Sequence, residues 1–340
     1  MKKLITTFCL SVSVISFAQK IESFETLLSD KISIRALEVY DNKIWYSGTD
    51  SKFGYVDLKN AKNQKQIKLS EEKLQFRTLA QDKNAFYTIN IESPAYFFRI
   101  DKKNLDFKII NGDDDKKAFY DALHFYKNRF YTFSDPNEKL DLKFFEFYYE
   151  NDTFFSKFYT NLKLKQDEAA FAASNTNIAS SKNYVWIATG GNSSRIIRLN
   201  LKNEKIEVFT TPFVQGISSQ GIYSIDFAND KFGIAVGGDY TKQSENINNI
   251  ATSTDAGKTW QIQASGKNAG YTTCVKIKPG SKGKEIISVG DQHISYSSDF
   301  GKTWTKISDE KGLFVCEWID GNTVVFAGKD RVVKAELAFN

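Results

Sequence analysis

The amino-acid sequence predicts an all-β chain: a single seven-bladed β-propeller whose ring is closed by an N-terminal strand, with six or eight blades as the alternatives. Three observations predict it. Aromatic residues make up 14% of the 340 positions, with 28 Phe and 16 Tyr, a composition that suits half-buried pleated surfaces. One hairpin pattern, an alternating strand, a polar turn and an apolar return strand, recurs along the chain. Its period of about 40–50 residues, with four strands per repeat, is that of a propeller blade.

The first hairpins of the repeats begin at Ile34 ("IRALEVYDNKIWYSGTD"), Phe76 ("FRTLAQDKNAFYTINIES"), Phe119, Phe171, Ile222, Tyr271 and Leu313, at separations of 42, 43, 52, 51, 49 and 42 residues. Second hairpins follow, as in "GYVDLKNAKNQKQIKL", "FFRIDKKNLDFKII" and "IIRLNLKNEKIEVF". The third repeat ("DLKFFEFYYENDTFFSKFYT") is aromatic-rich and irregular, which keeps the other blade counts open. The seventh repeat stops after "RVVKAELAF" without a fourth strand, and the strand-compatible stretch Ile21–Ser29 is expected to supply it.

Residues 1–18 read differently. Lys2-Lys3, an apolar run from Leu4 to Phe17 and the small-x-small ending Ser16-Phe17-Ala18 form the pattern of a secretory signal peptide. The expected mature chain, residues 19–340, is one propeller, exported to the periplasm or beyond, and a monomer. No stretch approaches the ~18 apolar residues of a transmembrane helix. Removing Lys2 and Lys3 lowers the formal charge from +5 to +3. Lysines and acids interleave, with no basic stripe for nucleic acid.

In the fifth and sixth repeats the second hairpin carries "STDAGKTW" (Ser253–Trp260) and "SSDFGKTW" (Ser297–Trp304). In this pattern Asp255 and Asp299 can accept backbone N–H groups across a tight turn. Gly257 and Gly301 suit positive φ, and Trp260 and Trp304 offer large rings for burial. Ser253, Thr259, Ser297 and Thr303 complete the two copies. The pattern resembles the Asp-box, or BNR repeat, of sialidase-like propellers, which implies a structural hairpin between outer strands; direct ligand binding is the alternative. Together with "AFYDALHFYKNRFYTFSDP", "EAAFAASNTN" and "GIYSIDFANDKFGIAVGGDYTK", it is similar to exported bacterial BNR-repeat propellers akin to photosystem II stability/assembly factor-like proteins. Members of that group often carry the label "oxidoreductase". The resemblance implies a protein or glycan ligand of the cell envelope and an assembly-factor-like role.

Loops on a rigid scaffold carry function, and those entering the inner strands and joining the second and third strands are expected to meet at one mouth. They supply Arg35, Arg77, Ser174, Asn192, Tyr240, Lys242 and Tyr271 as candidate ligand-binding residues. Two arginines suit a carboxylate or other anion. Asp121, Asp135, Glu168 and Asp239 are the candidate catalytic acids, because paired carboxylates could serve a hydrolase or lyase acting on an anionic carbohydrate. For each residue alone the competing expectation is a solvated or ion-paired side chain.

Nothing in the sequence indicates a cofactor or metal. His124 and His293 have no metal-ligand or Ser-His-Asp setting, and His124, in an alternating strand, is expected to be packed or hydrogen-bonded. No dinucleotide fingerprint lies between a strand and a helix, so the "oxidoreductase" label finds no support. Cys274 and Cys316 hold equivalent places in adjacent repeats, and both a disulfide and buried free thiols fit that placement.

Overall fold

A computed structural model of the chain describes residues 20–338, so the expected signal peptide at 1–18 lies outside the described residues. Every named element is a strand, and the strands form a propeller of six antiparallel sheets. Among the described residues no helix is long and apolar enough to cross a membrane.

Four of the six sheets hold one repeat each, and the sheet of the fifth repeat also takes in Glu168–Ala169 and Gly190–Gly191 of the fourth. Ala80–Gln81, Ala85–Ile89, Ala95–Asp101 and Phe107–Asp113 form one, and Tyr120–Tyr126, Arg129–Ser134, Lys143–Glu150 and Thr153–Tyr159 the next. Second strands such as Ala85–Ile89 and Gly233–Asp239 are buried along their whole length, whereas an outer strand such as Gln64–Lys68 is nearly all exposed. Each sheet is covered on both faces by its neighbours, so its middle strands lose the hydrophobic–polar alternation expected of a one-sided sheet.

Aromatic rings make the seams between sheets. Trp186 stacks on Phe227 with centroids 3.6 Å apart, Trp45 meets Phe86 at 4.4 Å and Tyr87 meets Phe130 at 4.2 Å. Such pairs contribute about 0.5–1.5 kcal/mol beyond the area they bury. The irregular third repeat also stacks rings within its own sheet, Phe147 on Phe130 and Phe154 at 5.0 and 4.9 Å.

The expectation of seven separate blades is corrected: six hydrogen-bonded sheets are present. The strand Lys20–Tyr40 runs unbroken for 21 residues. It pairs with Thr323–Ala338 from Lys20 to Ser33 and with Lys43–Gly48 from Ile34 to Tyr40. Asp30-Lys31-Ile32-Ser33 contains neither Gly nor Pro, and although the pairing is irregular between Ser29 and Ser33, the strand runs on from the stretch that meets the C-terminal strand to the stretch that starts the first repeat. The last and first repeats therefore form one six-stranded sheet. Counting hairpins divided it in two.

The twice-written motif closes its own hairpin. Asp255 Oδ1 accepts the Lys258 and Thr259 N–H groups at 3.1 and 2.9 Å, and Oδ2 accepts the Thr259 hydroxyl at 2.7 Å. Asp299 repeats the bonds to Thr303 at 2.9 and 2.7 Å. Gly257 has φ +76°, and a Cβ there would meet Trp186 Nε1 at 3.1 Å. The Ala256 carbonyl accepts from Trp186 Nε1 and Arg198 Nη1 at 3.0 and 2.9 Å. The hairpin thus seats one sheet on the preceding one.

Candidate functional site

The central channel is crossed by a segment of small residues. Around Ala172–Thr176 the chain leaves its sheet and bonds to inner strands on several sides. Arg35 Nη1 donates to the Ala173 carbonyl at 2.9 Å and Arg77 Nη1 to the Ala172 carbonyl at 3.4 Å. Ser174 Oγ donates to Thr273 O at 2.6 Å, and Asn175 Nδ2 to Leu79 O at 2.7 Å. Asn175 Oδ1 accepts the Leu123 N–H at 2.8 Å, and the Thr176 and Ser224 hydroxyls lie 2.7 Å apart. Alanine and serine permit this close backbone approach. The plug divides the channel into two mouths, with 170–173 facing one cavity and 174–176 the other.

The first mouth holds a cavity of about 460 Å³ lined by Arg35, Arg77, Phe171, Tyr240, Tyr271 and Asp291 among others. Four of the expected ligand-binding residues, Arg35, Arg77, Tyr240 and Tyr271, meet there. Phe171 stacks on Tyr223 at 3.9 Å, and Tyr271 packs edge-on against Tyr223 at 4.9 Å. Arg35 lies over the Phe314 ring at 4.1 Å, and its Nε is buried without a hydrogen-bond partner among the described residues. Burial, and next the nearby Arg77 charge, lower the Arg35 pKa to about 10; burial also lowers that of Arg77. No ion pair within 4.0 Å holds either guanidinium among the described residues. Asp291 near Arg35, and Glu92 and Asp121 near Arg77, only partly offset this lowering, and two like charges in one concave site favour an anion.

The remaining candidates go elsewhere. Ser174 is fully buried in the plug. Asn192 is exposed and donates to Asp167 at 3.3 Å, and Lys242 pairs with Glu245 at 3.3 Å on the surface. None of the four acids lines the arginine cavity. Glu168 is buried and accepts Arg195 Nε at 2.8 and 2.9 Å, Thr189 Oγ1 at 2.6 Å and the Lys165 N–H at 2.8 Å. Asp239 Oδ1 caps Thr241, accepting its N–H at 2.9 Å and its hydroxyl at 2.6 Å. Burial opposes ionisation of Asp239, but these bonds win and its pKa is lowered.

Asp121 and Asp135 stay close. Burial, then the Asp135 charge, push the Asp121 carboxyl well above the usual range despite Arg77 and the Ala172 amide nearby. Burial lifts Asp135 to about 6. Asp135 and Glu168 line an adjoining cavity of about 700 Å³ that shares Phe119 and Phe171 with the arginine cavity.

Sequence reasoning missed Gln243, whose buried Oε1 has no hydrogen-bond partner among the described residues, and the Phe171–Tyr223 floor. It also missed the opposite mouth, where Glu38, Gln81, His124, Asp226, Lys276 and Glu317 line a cavity of about 500 Å³. One signal was available: each of these residues lies four or five positions after a repeat start. His124, expected to be hydrogen-bonded, lies 2.8 Å from Ser180 Oγ through Nε2. Cys274 and Cys316 are buried free thiols with their sulfurs 3.8 Å apart.

No family model and no curated protein matches the chain. Solved structures do. YCF48 bound to D1 peptide has a TM-score of 0.63 at 10% identity, covering 93% of this chain and 97% of that one. The WD40 β-propeller domain of Doa1 has a TM-score of 0.63 at 12% identity, covering 95% and 97%. The RRP9 WD40 repeats have a TM-score of 0.64 at 11% identity, covering 94% and 99%. At these identities the likeness shows the propeller fold alone.

Proposed function

We propose that this chain is an exported binding propeller that holds an anionic segment of a protein partner in the arginine cavity, in an assembly-factor-like role. The observation that carries it is the pair Arg35 and Arg77 in one concave site, without an ion-pair partner among the described residues and flanked by Tyr240 and Tyr271. A carboxylate would relieve the repulsion between the guanidiniums. The tyrosine faces would hold the neighbouring residues of the segment. The similarly folded YCF48 was solved with a peptide bound, which is in keeping with this reading. The Asp-box reading of the twice-written motif belongs to the same proposal, as a structural device.

A second reading, a hydrolase or lyase on an anionic glycan, draws on Asp121 and Asp135, two neighbouring carboxyl groups with raised pKa values. Its other two acids are held in structural bonds. One experiment separates the readings. Peptide and glycan arrays are probed with wild type and Arg77→Ala, and the bound glycans are assayed for cleavage. The expected result is a signal on acidic peptides that falls at least tenfold in Arg77→Ala. Glycan binding with cleavage would favour the second reading, and identical profiles for the two proteins would overturn both. N-terminal sequencing of the exported chain tests localisation, with residue 19 expected first.

A further inference from the structure

The inner strands end, at the mouth opposite the arginine cavity, on a ring of polar side chains. Glu38, Gln81, His124, Asp226, Lys276 and Glu317 come from different inner strands and line one cavity of about 500 Å³. The Ala172–Thr176 plug separates it from the arginine cavity, so the two mouths are independent sites.

The ring has more carboxyl groups than cations. Lys276 Nζ lies 2.6 Å from Glu317 Oε2. The oxygens of Asp226 take the Phe227 and Ile277 N–H groups at 2.8 and 2.7 Å. Glu38 is left with a neutral partner: its Oε2 accepts Gln81 Nε2 at 2.7 Å. Lys102 is occupied on Gln81 Oε1 at 2.6 Å. Burial raises the Glu38 pKa to about 7, with the Glu317 charge adding to the rise and Gln81, Lys276 and Lys102 only partly opposing it. His124 adds no charge near neutrality, because burial and next Lys276 lower its pKa to about 4. Three carboxyl groups therefore share the Lys276 ammonium, which pairs with Glu317 alone among the described residues; Asp226 is held by backbone N–H groups, and Glu38, with Lys102 acting on it only from a distance, keeps a neutral partner in the cavity.

The walls narrow the kind of cation. The half-buried Val39 and Phe125 line the same cavity, offering apolar surface beside the carboxyl group, as a methylene chain with a charged end requires. Among the described residues no group of three or more His, Cys, Asp or Glu is placed to hold a metal ion. We infer that this mouth is a second binding site, which takes an alkylammonium group with its nitrogen on Glu38 and its carbon chain beside Val39 and Phe125.

Two sources share this chemistry, a free alkylamine and a lysine side chain of a partner. Isothermal titration calorimetry of the chain with 1,4-diaminobutane, Nα-acetyl-lysine amide and, as a neutral control, 1,4-butanediol tests the site. The diamine or the lysine amide is expected to bind saturably and the diol not at all; whichever amine binds tighter assigns the source. Binding is expected to be tighter at pH 8 than at pH 6, since it needs ionised Glu38, with proton release seen as a dependence of the heat on buffer ionisation. Glu38→Gln is expected to weaken binding at least tenfold and abolish the pH dependence, while Glu38→Asp retains it. Circular dichroism checks that each variant folds. Absence of saturable binding of either amine, equal binding of the diol, or a folded Glu38→Gln that binds like wild type would overturn the inference.

Discussion

Replacing Arg195 by Met is the sharpest test of how the ring is held together. The Arg195 guanidinium makes Nε bonds of 2.8 and 2.9 Å to Glu168, an Nη2–Oε2 contact of 2.6 Å and a bond of 3.0 Å to the Lys163 carbonyl. The two side chains are 11% and 0% exposed. Removing one partner of such a buried pair costs about 3–5 kcal/mol, because the other charge stays out of water uncompensated. Unfolding entropy of ~2.1 cal/mol/K per residue over the 340-residue chain gives ~0.7 kcal/mol/K, so a loss of ~4 kcal/mol lowers Tm by about 6 °C. Urea denaturation at pH 7 and calorimetry measure it. Glu168→Gln is expected to cost a similar amount and Glu168→Gln with Arg195→Met less than the sum by ~2 kcal/mol, since the residues share one network. A loss below ~1 kcal/mol in Arg195→Met would refute the structural role. So would a stable Glu168→Gln that loses only ligand binding, which would return Glu168 to the candidate catalytic acids.

Asp255→Ala removes three bonds to Lys258 and Thr259 and is expected to cost about 1–3 kcal/mol by urea denaturation, with binding at the arginine cavity unchanged; altered binding with unaltered stability would make the motif a ligand site. Cys274 and Cys316, both 0% exposed, are expected to resist a thiol reagent in the native protein and to react in urea, and native labelling or a disulfide found by mass spectrometry would contradict this. For His124 the folded pKa of about 4 lies below the ordinary value of 6.5. Between those values the unfolded chain binds a proton that the folded chain refuses, so stability falls as pH drops from 6.5 towards 4. Wild type is expected to lose ~1 kcal/mol per pH unit relative to His124→Gln in that window; parallel stability profiles would show that His124 is not buried as a neutral ring.

Much of the fold was legible because its signals are local. An alternating strand and its turn residues lie within a few positions of one another, and the Asp255 and Asp299 hairpins make their bonds inside five residues. The aromatic excess was legible as well, since seams such as Trp186 on Phe227 need large flat rings. The placement of the candidate residues was legible in part. Arg35, Arg77, Tyr240 and Tyr271 were brought together by the repeat register, since residues at equivalent places in successive repeats share one end of the ring. The bond between Glu168 and Arg195 was not legible, because the two lie 27 residues apart, across a bend that no local pattern announces.

By itself the sequence determined the all-β class, the strand-turn-strand repeats and the end of the ring where the two arginines lie, because periodicity and turn chemistry act over short stretches of chain. Only the tertiary structure decided the rest. Continuity of Lys20–Tyr40 merged the last and first repeats into one sheet, since a strand is broken by backbone geometry and not by a change of partner. The Ala172–Thr176 segment divided the channel through bonds to strands distant in sequence. The balance of charge round Glu38 depends on which side chains face one cavity from different strands, and a carboxyl group's partners are set in space and not along the chain.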